Sequence, residues 1–107
     1  MIKNKNILVV GGTGFIGYHL IKRALKEGLN VTSLSTRRPK KIRKVKKVKY
    51  IFCDITNKKL LNKLSHYNFH YVVNLGGYVD HTNKKKTFYS HYYGCKNLVE
   101  SINRNNL

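Results

Sequence analysis

The sequence predicts an α/β fold built around a parallel sheet, and three observations support this prediction. Asn6–Val10 is a short, continuous apolar run that ends at two glycines, which is typical of a strand buried on both faces. Apolar residues at helical spacing follow these glycines, and strand-like and helix-like segments then alternate along the chain. At 107 residues, the chain has room for one domain with a modest core.

The first helix is predicted to follow the glycines and to end before Gly28, since glycine is a common helix stop. Its apolar positions are Phe15, Ile16, Leu20, Ile21, Ala24 and Leu25. Strands two, three and four are predicted over Val31–Ser35, Val48–Phe52 and Tyr71–Leu75. Right-handed crossovers between such strands favour the order 3-2-1-4.

Two further helices complete the predicted pattern. A short helix over about Asn57–His66 has its apolar side at Leu60, Leu61 and Leu64. The last helix runs from roughly Lys84 to Arg104, and its apolar face is formed by Phe88, Tyr92, Cys95, Val99 and Ile102.

The charge is strongly unbalanced, with 22 Lys and Arg against 4 acids and a net charge of +18. Such an excess favours an anionic partner, whether nucleic acid, a membrane surface or a phosphorylated small molecule. A codon bias toward Lys, Asn, Ile and Tyr is the alternative, and it leaves the scarcity of Glu unexplained. Nine of the thirteen residues from Arg37 to Lys49 are basic, and we expect this stretch to form a mobile loop in place of a crossover helix.

Several classes of protein are disfavoured by the sequence. No apolar run approaches the roughly 20 residues of a membrane span, and the glycine-rich start lacks the cleavage site of a signal peptide. Cys53 and Cys95 provide neither a disulfide framework nor a zinc site, and no histidine has partners at metal-ligand spacing. A reducing cytoplasm is the expected compartment.

The glycines between the first strand and the first helix predict a phosphate site. Gly11 permits a sharp turn, Gly14 lets a diphosphate approach the backbone, and Gly17 lets the helix lie close to the strand. The free N–H groups of the first helical turn would then bind the phosphate oxygens. A glycine-rich turn without a ligand is the alternative.

Four segments resemble the extended short-chain dehydrogenases/reductases, which include nucleotide-sugar epimerases, dehydratases and reductases. They are Val9–Leu20, Cys53–Thr56, Val72–Gly77 and Gly94–Leu98. The resemblance covers residues 1–107 as one segment, but only the N-terminal part of such an enzyme. It implies a Rossmann-type doubly wound sheet that is truncated at four strands.

The resemblance also implies which residues contact a dinucleotide. Asp54 would accept a hydrogen bond from the adenine amino group, while Ile55 would pack on the ring. For Asp54 an N-cap is the alternative role. The residues that the resemblance implies around the diphosphate are Gly11, Thr13, Gly14, Phe15, Ile16 and Gly17. Those implied beneath the nicotinamide-side ribose are Leu75, Gly76 and Gly77, of which the two glycines could instead form a plain turn.

The end of the second strand favours NADP over NAD. An NAD site has an acid there to bind the ribose 2′-hydroxyl, whereas this chain has Thr36, Arg37 and Arg38 and no acid from Asn30 to Phe52. Arginine binds a phosphate through forked donors, so the 2′-phosphate of NADP fits this position. The alternative is that the arginines belong only to the basic loop.

No catalytic residue is assigned. The resemblance implies a Tyr-x-x-x-Lys pair on a helix after a fifth strand, and this chain contains no such strand. Tyr18 with Lys22 and Tyr92 with Lys96 have the spacing, but about one match is expected by chance among 8 tyrosines and many lysines. We therefore expect a cofactor-binding segment whose catalytic and substrate-binding parts are absent.

Three functions remain open at this point. The first is the NADP-binding portion of an enzyme that acts on a nucleotide sugar. The others are a basic nucleic-acid-binding module, with tyrosines that stack on bases, and a dinucleotide sensor without catalysis. In each case the fourth strand would be an exposed sheet edge, and we expect either self-association through it or only marginal stability.

Overall fold

The computed structural model describes residues 4–57, 62–75 and 84–102. These residues form a four-stranded parallel sheet with the strand order 3-2-1-4. The strands are β1 (Asn6–Val10), β2 (Asn30–Ser35), β3 (Lys49–Phe52) and β4 (Tyr71–Asn74). The helices are α1 (Phe15–Lys26), α2 (Lys84–Ser101) and two 3-10 helices, Lys41–Arg43 and Asn62–His66. The predicted fold class and strand order are confirmed.

β1 is buried on both faces because it lies in the middle of the sheet. Leu8 and Val10 belong to one core cluster, which includes Leu34 and Phe69, and Ile7 and Val9 belong to a second cluster with residues of α1. The alternation follows from the two-residue period of a strand. The continuous apolar run of β1 therefore packs into both core clusters, one on each face of the sheet, as predicted for a central parallel strand.

α1 ends as the sequence predicts. The helix stops at Lys26, and Gly28 adopts a left-handed conformation with φ 86°, which a glycine accepts without steric cost. The Gly28 N–H donates to the Leu25 carbonyl at 3.0 Å and so closes the last turn. The chain then enters β2 directly beside β1.

The basic stretch from Arg37 to Lys49 is more ordered than a simple loop. It contains the 3-10 helix Lys41–Arg43, and Val45 and Val48 pack against the core cluster beside α1. The Val45 N–H also donates to the Tyr50 hydroxyl at 3.0 Å. This connection takes the place of a crossover α-helix, as expected, but it is attached to the core.

The predicted apolar face of the last helix is wrong in part. Tyr92 is 52% exposed, Val99 is 47% exposed and Cys95 is exposed. The buried side of α2 carries Leu98 and Ser101, which the prediction did not include, and it is followed by Ile102, which is buried as predicted. At about 100° per residue, Leu98 and Ser101 lie about 80° and 140° around the helix from the centre of the predicted stripe, so the buried side of α2 is rotated away from that stripe. The Phe88 side chain lies outside the described part.

The segment before β4 also differs from the predicted helix over about Asn57–His66. Asn57 closes a turn, since its N–H donates to the Asp54 carbonyl at 2.9 Å, and the described helix here is the 3-10 helix Asn62–His66, with Leu64 buried. Leu60 and Leu61 lie outside the described residues. Phe69, which follows this helix, is 1% exposed and stacks on Tyr67 with ring centroids 5.8 Å apart. The core under this part of the sheet therefore depends on an aromatic pair that the sequence pattern did not indicate.

Candidate functional site

The turn between β1 and α1 is formed almost entirely by backbone atoms. Gly11 has φ 86°, and its N–H donates to the Leu34 carbonyl of β2 at 2.8 Å. A side chain is disfavoured at this φ, so the sharp turn predicted for Gly11 is observed. The Gly14 N–H donates back to the Gly11 carbonyl at 3.3 Å and closes the turn.

Gly17 brings α1 into contact with this turn. A Cβ atom at Gly17 would lie 2.5 Å from the Gly11 carbonyl oxygen and 2.6 Å from the Gly12 Cα, distances that packed atoms do not adopt. The close approach predicted for Gly17 is therefore observed. Gly12 has the same requirement, which the sequence did not indicate, because its Cβ would overlap Ser33 Oγ of β2.

The start of α1 presents donors toward the carboxyl end of the sheet. Gly14 is the N-cap residue and brings no side chain to satisfy the N–H groups of the first turn. The helix dipole also favours negative charge at this position. Phe15 and Ile16 are 63% and 69% exposed, so the first turn of α1 is accessible to a ligand.

A cavity of about 210 Å³ opens beside this turn, at the carboxyl ends of the strands. The structure brings six of the predicted residues together in its wall: Gly11, Thr13, Thr36, Arg37, Ile55 and Leu75. Residues that the sequence did not indicate also line it: Val10, Leu34, Ser35 and Cys53. Open α/β sheets bind ligands at this edge, where the strand order reverses.

The other predicted residues surround the cavity or lie outside the described part. Gly14, Phe15, Ile16 and Gly17 form the adjoining start of α1, and Asp54 and Arg38 adjoin wall residues in the chain. Gly76 and Gly77 lie outside the described residues. Leu75 is 41% exposed, and its N–H donates to the Val10 carbonyl at 2.8 Å, which fixes it at the end of β4.

The end of β2 is held by Ser35, whose hydroxyl donates to the Arg37 carbonyl at 2.8 Å. This bond fixes the turn that carries Thr36 and Arg37 into the cavity wall. Arg38 stacks its guanidinium on the exposed Phe52 ring, 5.3 Å from the centroid. Two guanidinium groups therefore lie at or beside the end of β2, where the sequence predicted them.

The loop after β3 is held by two side chains. Asp54 Oδ1 accepts hydrogen bonds from the Thr56 N–H at 2.9 Å and the Thr56 hydroxyl at 2.7 Å. Asp54 thus closes a turn, which is close to its alternative role as a cap. The Asn97 amide of α2 donates to the carbonyls of Ile55 and Thr56, both at 3.2 Å.

Asn97 is a residue whose role sequence reasoning missed. It lies 41 and 42 positions from its two acceptors, so no local pattern could have indicated the contact. The amide couples α2 to the loop that carries Ile55 into the cavity wall. A displacement of α2 would therefore move this wall of the candidate site.

The two Tyr-x-x-x-Lys matches do not meet the cavity. Neither Tyr18 nor Tyr92 is among its lining residues. Lys22 Nζ lies 5.2 Å from the Tyr18 ring centroid on α1, which is a cation–π arrangement. Within the described part, no cluster of three or more His, Cys, Asp or Glu could hold a metal ion, and no helix has the length and apolarity of a membrane span.

A second cavity of about 440 Å³ lies at the opposite edge of the sheet, near the amino ends of β1 and β2. Its wall includes Asn6, Lys47, Lys49 and Tyr67, and none of the predicted cofactor residues. The predicted cofactor residues lie together at the carboxyl ends of the strands, so the larger volume of the second cavity does not identify it as the site.

Similar solved structures share this fold. The chain superposes with a TM-score of 0.80 on Thermus thermophilus UDP-glucose 4-epimerase in complex with NAD, at 24% identity over 90% of this chain and 33% of that one. For Thermotoga maritima UDP-glucose 4-epimerase with UDP-glucose, the TM-score is 0.81 at 22% identity, over 90% and 33% of the two chains.

A mutant of Agrobacterium tumefaciens uronate dehydrogenase complexed with NAD gives a TM-score of 0.74 at 18% identity, over 91% of this chain and 36% of that one. The chain thus spans about a third of the length of these structures. A comparison with curated proteins finds no match. The model of the NAD-dependent epimerase/dehydratase family matches residues 7–107, nearly the whole chain. The chain therefore belongs to the NAD-dependent epimerase/dehydratase family.

Proposed function

We propose that this chain binds a nicotinamide dinucleotide, with NADP preferred over NAD, as the cofactor-binding portion of an enzyme that acts on a nucleotide sugar. One observation carries the proposal: the glycine turn adjoins a cavity whose wall includes the end of β2 and the loop directly after β3. A dinucleotide needs these three elements together, since it spans the crevice beside the first strand.

The diphosphate would bind at the start of α1. The first-turn N–H groups, from Phe15 to Gly17, would donate to its oxygens, and the helix dipole would add to the attraction. Around Gly14 there is room for the phosphate, since even an added Cβ would come no nearer than 3.6 Å to the Gly11 carbonyl oxygen. Thr13, in the cavity wall beside Gly11, has a hydroxyl that can donate as well.

The adenosine would bind between the ends of β2 and β3. Ile55 supplies an apolar wall for the adenine ring. A carboxylate carries two oxygens, so Asp54 can keep Oδ1 in its turn while Oδ2 accepts a hydrogen bond from the adenine amino group. The ribose beside the nicotinamide would lie over Leu75 and the two glycines that follow it in the sequence.

The preference for NADP rests on Thr36, Arg37 and Arg38. Arg37 lines the cavity, and the Ser35 hydroxyl fixes its backbone. No carboxylate lies at the end of β2 to bind a ribose 2′-hydroxyl, whereas a guanidinium beside this position binds a 2′-phosphate. Two of the solved relatives described above are NAD complexes, so the preference would be a property of this chain's own residues.

Calorimetric titration with NADP and NAD tests this proposal. We expect tighter binding of NADP, and we expect Arg37→Ala to weaken NADP roughly tenfold while leaving NAD within about twofold, because only NADP carries the 2′-phosphate. Lys40→Ala is the matched control, since it removes an exposed charge from the same connection. Equal affinities for the two nucleotides would refute the preference, and no binding of either would refute the proposal.

The reaction itself would require residues that this segment does not supply. Such enzymes transfer a hydride to or from the nicotinamide, and the residues described here would bind and orient the cofactor. A dinucleotide sensor is the alternative within the same fold. The full reading frame decides between them, because the resemblance implies a Tyr-x-x-x-Lys pair after a fifth strand for catalysis.

A nucleic-acid interface is a second candidate, supported by the basic connection and its exposed aromatic neighbours. Arg38 stacks on Phe52 and Arg43 lies over Phe15, so cations and rings are paired on this surface. RNA binding that falls steeply with salt and is unaffected by NADP would favour this candidate. Competition between RNA and NADP would instead indicate attraction to the cofactor site.

Self-association through β4 and a reducing cytoplasm are also proposed. Among described strands, β4 pairs only with β1, and Tyr71 at its start is 40% exposed, so this edge could pair with another chain. Equilibrium sedimentation tests this, with a monomer at all concentrations as the contrary result. The free, exposed Cys95 thiol is compatible with a reducing compartment.

A further inference from the structure

We propose that Arg43 contacts the diphosphate of the bound dinucleotide from the side opposite the α1 backbone. The inference rests on the proposed function and adds a residue that neither the glycine turn nor the end of β2 contains. Arg43 comes from the basic connection between β2 and β3, 29 positions after Gly14. Its contact with Phe15 at the start of α1 therefore joins two segments that are far apart in the sequence.

The geometry holds the Arg43 guanidinium over the side-chain ring of Phe15, the first residue of α1. Its guanidinium carbon lies 5.8 Å from the ring centroid of Phe15, which directly follows the N-cap Gly14. The Arg43 N–H donates to the Lys40 carbonyl at 2.8 Å, which fixes the 3-10 helix that carries it. Arg43 is half-buried, whereas Ile42 beside it is 82% exposed.

The chemistry of this position suits a phosphate. A guanidinium offers five donors in a planar fork and stays charged at physiological pH, and the first-turn N–H groups of α1 supply donors from the other side. The sequence contains no acid from Gly28 to Cys53, so this connection carries no carboxylate of its own to compete for Arg43. A diphosphate at the start of α1 would lie between two sets of donors.

Arg43 and Arg37 would therefore bind different phosphates. Arg37 lies in the cavity wall at the end of β2, where the adenosine ribose and its 2′-phosphate would bind. The Arg43 guanidinium lies over the ring of Phe15, which begins α1, and the diphosphate would bind beside this first turn. Because NAD and NADP share the diphosphate, Arg43 should strengthen the binding of both nucleotides equally.

Titration of Arg43→Ala with NAD and with NADP tests the inference. We expect both affinities to fall by about the same factor, roughly tenfold, since a charge-assisted hydrogen bond is lost in each complex. Lys41→Ala is the matched control, because it removes one exposed positive charge from the same 3-10 helix. We expect that control to lower both affinities less than threefold, through the loss of general attraction.

Arg43→Lys sharpens the test, because it keeps the charge but loses the fork. We expect its affinities to fall between those of the wild type and Arg43→Ala. The inference is overturned if Arg43→Ala behaves like Lys41→Ala, or if NADP alone binds more weakly. These results differ from a failure of the proposed function, in which the wild-type chain binds neither nucleotide.

Discussion

The two halves of the candidate site are built in different ways. The half at the start of α1 is made of backbone and depends on glycines whose neighbours leave no room for a Cβ. The half at the ends of β2 and β3 is made of side chains that hold loops, namely Ser35, Asp54 and Asn97. Under the proposed function, we expect the first half to bind the diphosphate common to all dinucleotides and the second half to set which one binds.

Gly17→Ala should have the largest effect on stability and NADP affinity, because it changes the backbone half of the candidate site. The added Cβ would lie 2.5 Å from the Gly11 carbonyl oxygen, so α1 must move away from the turn. We expect a loss of about 1–3 kcal/mol in the free energy of unfolding, as for other overpacked sites, together with at least a tenfold loss of NADP affinity. Urea unfolding and calorimetric titration measure the two quantities.

Gly14→Ala is the matched control for Gly17→Ala. Its Cβ would come no nearer than 3.6 Å to the Gly11 carbonyl oxygen, and the backbone at φ −78° and ψ 178° accepts alanine. We expect nearly unchanged stability but weaker NADP binding, since the methyl group would occupy space that the diphosphate needs. Unchanged NADP affinity in Gly14→Ala would contradict a diphosphate at this turn.

Asn97→Ala should have an intermediate effect, because Asn97 supports the side-chain half of the candidate site without lining the cavity. Two hydrogen bonds to the Ile55 and Thr56 carbonyls are lost, and we expect about 1 kcal/mol less stability and a severalfold weaker affinity for NADP. The neighbouring, exposed Lys96→Ala is the control. Lower stability with unchanged NADP affinity would mean that the loop after β3 does not shape the site.

Ser33→Ala should have the smallest effect on stability. Ser33 is fully buried in β2, and its hydroxyl has no hydrogen-bond partner among the described residues. Since an unpaired buried hydroxyl is costly, we expect the variant to be neutral or more stable by up to about 1 kcal/mol in thermal or urea unfolding. A clear loss of stability would mean that the hydroxyl is paired.

Ser35→Ala is the variant to compare with Ser33→Ala, because Ser35 lies two residues further along β2 on the same face. Ser35 differs from Ser33 in that its hydroxyl donates to the Arg37 carbonyl. We expect this variant to lose part of the preference for NADP over NAD, because the turn that carries Arg37 would loosen. An unchanged ratio of the two affinities would show that Arg37 does not need Ser35.

The backbone half could be predicted from the sequence because its causes are local. A central parallel strand needs an apolar run, and the close approach of α1 needs Gly17 seven positions after Val10. Gly12 escaped prediction because its constraint comes from Ser33 on the neighbouring strand. The strand order followed from the handedness of crossovers, and the pairing of β1 with both β2 and β4 agrees with it.

The side-chain half could be predicted only in part, because its contacts join distant segments. The arginines after β2 could be read from the sequence, but Asn97 and Arg43 reach residues 41 and 28 positions away. The last helix shows the same limit, because periodicity alone did not distinguish Leu98, which is buried, from Tyr92, which is exposed.

The central claim is that backbone N–H groups at the start of α1 bind the diphosphate of a dinucleotide. Amide NMR spectra of the chain titrated with NADP, and separately with NAD, test it most directly. We predict that the resonances of Gly14, Phe15, Ile16 and Gly17 shift with both nucleotides, and that those near Arg37 respond more to NADP. If the four resonances stay unmoved at millimolar concentrations of both nucleotides, the claim is contradicted.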